Sequence, residues 1–393
     1  MWMFAKYINI NKYLKSPVIP YLVTFIIAVY NLRIGTVMSP DSYQYVAAAD
    51  NLINFEFNYF LFFEAHTQDL AWTLERFLPI IFPITLIAFL KIIFPLAWME
   101  CFVYINIIFV FIAVYLFQRG MLSLKIDNAV IGVCCFLLIF SVDYLTWPRF
   151  ILTDTIYASL SFLLIYITLS IRNFHLRKIS IWLLCLMLLA LTRQVAIPIL
   201  AVSIFLVFGH KIKLNGTVML ISFLLLFLTS ALFYSIYITA LMDNTNLSQG
   251  VLHLMNFAKS GVVVHDRPDT YIIISNDVFG FLKLFCYRFL YFFNPYASSF
   301  SSIHIIFNSF LTVVYFFGLI ATIWNWALTT LEQKQYFLKI NLFIFAIAIF
   351  HSATLIDFDW RYRFPAIILM MFVGAISLQS FVNALKAKYL SQS

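Results

Sequence analysis

Charge is scarce in this sequence: only 11% of its 393 residues are charged, whereas 63% are hydrophobic. A soluble domain of this length needs about twice that share of charge to cover its surface. The hydrophobic residues also occur in continuous runs of about 18 to 25, the length that a helix needs to cross the hydrocarbon core of a bilayer. The composition therefore excludes a soluble globular protein. Because the runs do not alternate with polar residues, it predicts membrane-spanning helices rather than barrel strands.

Cysteine and glycine are scarce as well. The five cysteines lie mostly inside apolar runs, and neither a metal-ligand spacing nor a disulfide framework is visible. With only 10 glycines and no convincing internal repeat, the chain lacks the matched, glycine-broken halves that are typical of transporters. The HExxH, GxSxG, P-loop and GxGxxG motifs are absent too, so a catalytic site has to be inferred from individual polar residues.

The apolar runs predict an all-α polytopic membrane protein, a single transmembrane domain over residues 1–393. We place about ten transmembrane helices at roughly 17–37, 98–118, 128–147, 151–171, 179–192, 194–210, 214–240, 303–328, 337–356 and 364–385. The apolar stretch 77–97 is the difficult case, because it holds three prolines and Lys91.

The distribution of charge decides the topology. The net charge is +8, but the basic residues are scattered among the spans, which argues against a nucleic-acid partner. If 77–97 does not cross, more than half of the 25 basic residues lie on the inner side, with only Asp127 and Glu332 of the 17 acids, as the positive-inside rule expects. We therefore predict cytoplasmic N- and C-termini in an inner (plasma) membrane. The stretch 77–97 then forms interfacial helices from which Lys91 reaches the outer headgroups.

Two long loops on the outer, periplasmic side, at 38–97 and 241–302, are predicted to carry the function. Loops of this length in a compact membrane protein are usually functional. The second loop holds the segment 282–295, which is typical of an amphipathic interfacial helix with Lys283 and Arg288 among the headgroups. The predicted fold is thus about ten spans plus interfacial helices in two outer loops.

The first candidate functional residue is Asp41. Ser39 is expected to N-cap a helix whose first position is Pro40, so that Asp41 lies in its first turn, at the membrane surface. One interpretation is a carboxylate that complements the helix dipole. The other is a general base that is held by the helix end.

Further candidates flank later spans. Arg149 and Asp154 lie at the outer start of the predicted span 151–171, where ionisable groups are costly and tend to be functional, although Thr153 and Asp154 also make a good helix start. Arg193 stands between two short apolar runs, which places it below the outer surface, facing protein or an aqueous cavity. A solvated turn is the alternative for Arg193.

The sharpest site signal is the segment 357–365, Asp-Phe-Asp-Trp-Arg-Tyr-Arg-Phe-Pro. Phe364 precedes a proline, which favours extended geometry, and in an extended chain Arg361 and Arg363 project to the same side. Pro365 suits the first position of the last span, so the positive end of that helix and the two guanidiniums are expected to converge on one phosphate. Ion pairs within the segment are the alternative.

Taken in order, these pieces resemble the GT-C superfamily of membrane glycosyltransferases. They are most similar to bacterial polyprenyl-phosphate-sugar-dependent enzymes related to protein O-mannosyltransferases and aminoarabinose transferases. The matching motifs are Ser39-Pro40-Asp41-Ser42-Tyr43-Gln44-Tyr45, the interfacial stretch 77–97, Thr153-Asp154-Thr155, Leu191-Thr192-Arg193 and Arg361-Tyr362-Arg363-Phe364-Pro365. Two features depart from the family: Ser42 stands where many relatives have a second acid, and the His-Pro-Pro element later in the first loop is missing.

The resemblance implies transfer of a sugar, with inversion, from a polyprenyl-phosphate donor to a hydroxyl of a glycan, lipid or protein acceptor at the periplasmic face of the bilayer. It implies Asp41 as the base, and Asp154 as the residue that orients the acceptor, the base or a divalent cation; no other cofactor is implied. The expected donor phosphate-binding residues are Arg149, Arg193, Arg361 and Arg363. Expected substrate contacts are Tyr45, Tyr362, Lys91 and Arg288.

Two other functions also fit work at the outer leaflet. An O-antigen-type polysaccharide polymerase acts on lipid-linked sugars outside the membrane, but it does not need an acid immediately after the first span. A lipid-linked sugar flippase or transporter is the other alternative, although the charges here lie at the outer rim rather than at mid-membrane.

Overall fold

The computed structural model describes residues 18–65, 78–171, 175–209, 278–296, 301–353 and 360–390. These residues form helices, in chain order: α1 (Val18–Ile34), α2 (Pro40–Asn54), α3 (Tyr59–Ala65), α4 (Ile81–Ile93), α5 (Trp98–Ser123), α6 (Asn128–Leu137), α7 (Val142–Thr146), α8 (Asp154–Ser170), α9 (Leu176–Ala190), α10 (Ile197–Phe208), α11 (Val278–Phe292), α12 (Ser302–Trp324), α13 (Leu331–Ala353) and α14 (Phe364–Leu390). Within these ranges the only extended pairing is an isolated parallel bridge between Val37 and Phe150. The predicted all-α class is confirmed.

Four of the described helices are long and apolar enough to cross a membrane: Trp98–Ser123, Ser302–Trp324, Leu331–Ser352 and Arg361–Leu385. A fifth arises if Asn128–Leu137 and Val142–Arg149, which are bent by 66° at a short break, form one broken span. The described residues therefore support four or five spans, and the predicted count of ten is not reached. The predicted span 214–240 and most of the loop 241–302 lie outside the described residues.

Part of the shortfall comes from helices that are too short to cross a bilayer by themselves. The helix α8 has 17 residues, α9 has 15 and α10 has 12, whereas a helix needs about 20 residues to cross the hydrocarbon core. Residues 151–153 precede α8 in a non-helical link, and the turn around Arg193 separates α9 from α10. An apolar run thus overstates helix length wherever polar contacts interrupt it.

The stretch 77–97 contains the single helix α4, preceded by a 3₁₀ turn at Leu78–Ile80. With 13 residues, α4 extends only about 20 Å at 1.5 Å per residue, less than a bilayer core of about 30 Å. The helix packs against α2 and α5. Its length agrees with a segment that does not cross, and its location at a membrane interface stays a prediction.

The last helix, α14, is the centre of the bundle. Of its most apolar stretch, 83% is buried, compared with 22% for α12. The helix α14 packs against α8, α12 and α13. Because α14 begins directly after Arg363, its central position brings the arginine-rich turn to the middle of the bundle's end.

A buried polar network holds α8, α9 and α10 together below the turn that carries Arg193. Trp182 of α9 donates its indole N–H to Ser203 Oγ at 2.9 Å and to Thr168 Oγ1 at 3.1 Å. The two hydroxyls lie 2.5 Å apart. All three side chains are buried, so these hydrogen bonds resist exchange with solvent and fix the register of the three helices.

Small residues allow α12 and α14 to cross closely. A Cβ added at Gly374 would lie 2.7 Å from Cγ1 of Val314, and one at Gly318 would lie 3.1 Å from Oγ of Ser377. The Ser377 hydroxyl donates to the carbonyl oxygen of Gly318 at 2.6 Å. This small-residue crossing, with its interhelical hydrogen bond, is typical of helix pairs in membranes.

We predict that Gly374→Ala overpacks this crossing and lowers the free energy of unfolding by about 1–3 kcal/mol. The β-branched Val314 has one strongly preferred rotamer in a helix and cannot swing away. The matched double variant Gly374→Ala/Val314→Ala should regain much of the loss, as measured by thermal unfolding of the detergent-solubilised protein. Equal melting temperatures for Gly374→Ala and the parent would contradict a tight crossing.

Candidate active site

Asp41 lies in the first turn of α2, as the sequence predicts. Ser39 caps this helix through a reciprocal box: the backbone N–H of Ser42 donates to Ser39 Oγ at 3.3 Å, and that of Ser39 donates to Ser42 Oγ at 2.9 Å. Pro40 occupies the first helical position. The predicted N-cap is therefore confirmed, and the cap fixes the direction in which the Asp41 carboxylate leaves the helix.

The start of α2 is tied to the segment before α8. The backbone N–H of Val37 donates to the carbonyl oxygen of Arg149 at 3.0 Å, and the N–H of Ile151 donates to that of Val37 at 3.2 Å. The side-chain amide of Asn106 donates to the carbonyl oxygens of Pro148 and Phe150 at 2.9 and 3.2 Å. These backbone contacts bring the Asp41 and Asp154 segments side by side.

Asp154 begins α8 and forms a buried ion pair with Arg193. The side chain of Asp154 is only 2% exposed and that of Arg193 is 13% exposed. The predicted helix start is correct, but Thr153 does not cap it with its side chain. The Thr153 hydroxyl instead accepts a hydrogen bond from Arg193 at 3.3 Å.

Arg193 is enclosed by aromatic rings as well as by the acid. Its guanidinium carbon lies 5.3 Å from the ring centre of Tyr362 and 5.8 Å from that of Tyr157, and the Tyr157 hydroxyl donates to the Val195 carbonyl oxygen at 2.9 Å. Burial is the largest single influence and would lower the pKa of Arg193, but Asp154, Tyr362 and Tyr45 together raise that pKa above its ordinary value. Arg193 is therefore a fixed positive charge that faces protein, which excludes the solvated turn.

The segment 360–363 is a 3₁₀ turn rather than the expected extended chain. A 3₁₀ turn has three residues per turn, so side chains two positions apart point in different directions. The prediction of an extended segment with Arg361 and Arg363 on the same side is therefore wrong. Proline restricts only the residue directly before it, and the four residues before Phe364 are free to extend α14 backwards as a tighter turn.

The two arginines of this turn have separate partners. Arg361 donates to Asp41 Oδ2 at 3.0 Å, across 320 residues of sequence. Arg363 is buried and donates to the carbonyl oxygens of Phe292 at 2.7 Å, of Tyr291 at 3.5 Å and of Asn294. Arg363 thereby satisfies carbonyl groups at the C-terminal end of α11, where a cation is favourable.

Tyr45 connects the two ion pairs. It lies one helical turn after Asp41 on the same face of α2, close enough to Thr153, Asp154 and Arg193 for all three to influence its hydroxyl. Burial raises the pKa of Tyr45 to about 12, with Arg193 lowering it and Asp154 and Asp41 raising it further. Tyr45 therefore stays a neutral hydroxyl between the carboxylates. The ion-pair cluster, as we name it, consists of Asp41, Tyr45, Asp154, Arg193, Arg361 and Tyr362.

His351 borders the ion-pair cluster and was not expected from the sequence. Its imidazole stacks on the Tyr362 ring at 5.0 Å and on Phe292 at 6.0 Å between centroids. It is buried, and among the described residues neither ring nitrogen has a hydrogen-bond partner. An ionisable residue near the end of an apolar span was the available signal, but its spacing to the other polar residues does not indicate the stack.

Arg149 lies beside the cluster without joining it. Its backbone carbonyl accepts from Val37, while its guanidinium lies 5.4 Å from the ring centre of Phe150. The side chain makes no ion pair within the described ranges, and its Nε is buried without a hydrogen-bond partner there. Arg149 is thus a cation whose backbone borders the segment before α2 and whose side chain is not paired with a carboxylate of the described residues.

Lys91 and Arg288 are not brought to the cluster. Lys91 pairs with Asp50 and lies 5.5 Å from the ring centre of Trp98. Arg288 is only 7% exposed, which contradicts its predicted position among lipid headgroups. The helix α11 packs against α13 and so turns Arg288 toward the protein, while the side chain of Lys283 lies outside the described residues.

The described residues offer little for the predicted divalent cation. They contain no group of three or more His, Cys, Asp or Glu side chains that could hold a metal ion. Asp41 and Asp154, the two acids of the cluster, each accept from a guanidinium. This donor set does not fit a divalent cation.

Comparison of the chain with protein-family models, with curated proteins and with solved structures found no match in any of the three. The likeness to GT-C enzymes therefore depends on the short motifs alone.

We predict that Asp154→Ala lowers the free energy of unfolding by about 3–5 kcal/mol, because it leaves the buried Arg193 charge without its counterion. The double variant Asp154→Ala/Arg193→Met should be more stable than the single variant, since it removes the orphaned charge together with its partner. Thermal unfolding in detergent measures both. A double variant that loses the sum of the two single effects would contradict a coupled buried pair.

Proposed function

We propose that this protein is a membrane glycosyltransferase that moves a sugar from a polyprenyl-phosphate donor to an acceptor hydroxyl, with inversion, on the periplasmic side of an inner membrane. The observation that carries the proposal is the contact between Asp41 and Arg361, beside the buried pair of Asp154 and Arg193. A base and a phosphate-binding cation are the two groups that such a transfer needs.

The carboxylate of Asp41 is the proposed general base. It is held by a capped helix end and is 44% exposed, so an acceptor hydroxyl can reach it. Its role is to take the hydroxyl proton as the oxygen attacks C1 of the sugar, on the face opposite the departing phosphate. Asp154 acts in this scheme by fixing Arg193 and, through Thr153 and Tyr45, the surroundings of the base.

The cations of the site divide into two groups. Arg193 and Arg363 are buried and hold protein groups, so their proposed role is to position the Tyr362 ring and the turn that carries Arg361. Arg361 and Arg149 are the proposed phosphate ligands. Guanidiniums at the leaving phosphate stabilise the charge that develops as the sugar–phosphate bond breaks, and this favours the transition state over the ground state.

The site lies where a lipid-linked donor would enter. Positive charge on the short loops orients both termini toward the cytoplasm, and the loop that carries Asp41 then faces the periplasm. The donor's polyprenyl chain would stay in the bilayer while its phosphate reaches the ion-pair cluster at the outer interface. A glycan, lipid or protein supplies the acceptor hydroxyl.

A lipid-linked sugar transporter is the second candidate. The bent pair Asn128–Leu137 and Val142–Arg149 is a feature that favours it, because broken helices recur in transporters. A transporter would move the lipid-linked sugar without forming a covalent product, which the experiment below detects.

We expect Asp41→Asn to lower sugar transfer by about 10²–10⁴-fold, since the amide cannot take the proton. The matched control is Asp50→Asn, because Asp50 lies on the same helix and also pairs with a cation. Mass spectrometry of envelope glycans and lipids should show one sugar lost with Asp41→Asn and retained with Asp50→Asn. Unchanged transfer by a membrane-inserted Asp41→Asn variant would refute the assignment. Shortened chains would indicate a polymerase instead.

We expect Arg149→Ala to weaken binding of a polyprenyl monophosphate by about 1.5–3 kcal/mol, the usual contribution of a hydrogen bond to a charged group. Arg149→Lys should recover only part of this, because an ammonium cannot make the bidentate contact. The control is Arg119→Ala. Arg119 is exposed and lies near the C-terminal end of α5, away from Asn106, which contacts the segment that carries Arg149. Equal affinities for Arg149→Ala and Arg119→Ala in nanodiscs would exclude Arg149 from the phosphate site.

A further inference from the structure

We infer that the donor phosphate displaces Arg361 from Asp41, so that Oδ2 of the carboxylate is released for the acceptor hydroxyl when the donor binds. This inference rests on the proposed function and adds an order of events to it. It starts from a conflict in the geometry: the proposed base and the proposed phosphate ligand are each other's partners, at 3.0 Å.

Arg363 and Arg193 are also near the site, but releasing either from its present partners would cost more free energy than releasing Arg361. Arg363 is 8% exposed and holds carbonyl groups at the end of α11, which would be left buried without a donor. Arg193 is paired with Asp154, whose side chain is almost fully buried. Separating that pair would leave two buried charges unpaired, which is strongly unfavourable.

In the pair of Arg361 and Asp41, a phosphate can replace the carboxylate as the partner of Arg361. The two side chains are 21% and 44% exposed, and ion pairs in contact with solvent contribute little net stability. A phosphate offers more negative charge and a bidentate acceptor, which a guanidinium prefers to a single carboxylate oxygen. Phosphate that reaches the outer face of this pair is therefore expected to take Arg361.

The rest of the turn is held while Arg361 moves. Tyr362 is stacked between His351 and Arg193, and Arg363 is fixed to α11. Tyr362 and Arg363, the two residues that follow Arg361, thus anchor the backbone of the turn, and the exchange moves the Arg361 side chain. The contacts of Tyr362 with His351 and Arg193 keep the backbone beside Arg361 in place during this movement.

The exchange has a defined chemical consequence. While Arg361 donates to Asp41 Oδ2, the guanidinium occupies one side of that oxygen and competes there with an acceptor hydroxyl. After the exchange, the acceptor oxygen forms its bond to C1 and its proton passes to Asp41. The bond from C1 to the phosphate oxygen breaks, and the electron pair leaves with the polyprenyl phosphate, which Arg361 now binds. Donor binding therefore precedes activation of the acceptor.

The test measures how accessible the Asp41 carboxyl is to a hydrophobic carbodiimide, with the full chain in nanodiscs and peptide mass spectrometry as the readout. Addition of a polyprenyl monophosphate should raise labelling of Asp41 several-fold, because the carboxyl leaves its ion pair. Inorganic phosphate should produce a smaller rise at the same concentration, since it lacks the lipid chain that anchors the donor. Phosphatidylglycerol should produce none.

Two controls make the result specific. Arg361→Gln should show high labelling of Asp41 without any ligand and no further response to the polyprenyl monophosphate. Asp50, which pairs with Lys91 at similar exposure, should keep the same labelling throughout.

Each contrary result has a separate meaning. If the polyprenyl monophosphate binds, by an independent binding assay, yet leaves Asp41 labelling unchanged, the exchange is wrong and the proposed function stands. If it does not bind at all, both are wrong. A response to phosphatidylglycerol as large as that to the polyprenyl monophosphate overturns the exchange as a response to the donor.

Discussion

The 3₁₀ turn Trp360–Arg363 is the constraint on which the candidate site depends, because three residues per turn send consecutive side chains about 120° apart. Arg361 therefore reaches α2, Tyr362 enters the aromatic stack between α13 and the turn after α9, and Arg363 holds the end of α11. Three distant parts of the chain are fastened at one place. The buried central helix α14 follows directly and gives the turn a rigid base.

The two ion pairs of this site differ in how deeply they are buried, and this difference determines how firmly each pair is held. Where acid and base are both buried, as in Asp154 and Arg193, the pair cannot be broken without leaving a charge in a poor solvent, so it serves as scaffold. Where both remain in contact with solvent, as in Asp41 and Arg361, the pair contributes little net stability. The same residue types thus have opposite uses a short distance apart.

Local chemistry accounts for the parts that were predictable. The cap at Ser39 and the helix start at Asp154 depend on residues within one turn of each other, so both are visible in the sequence. The geometry of 360–363 was predicted wrongly, since proline's restriction was extended beyond the one residue that it affects. Arg288 and His351 were misplaced or missed because their positions follow from packing between α11 and α13.

The sequence by itself determined that this is an all-α chain with helices apolar enough for a membrane. It also determined the start of the helices at Pro40 and Asp154. Composition, run length and capping depend on residues that are close together in the sequence, so they can be read from it directly. Tertiary structure alone decided which carboxylate meets which guanidinium, and that the rings of Tyr157 and Tyr362 lie against Arg193 while His351 stacks on Tyr362. Those contacts join segments up to 320 residues apart. No local pattern encodes such a contact; it arises when helices of fixed length pack and bring their polar ends to the same end of the bundle.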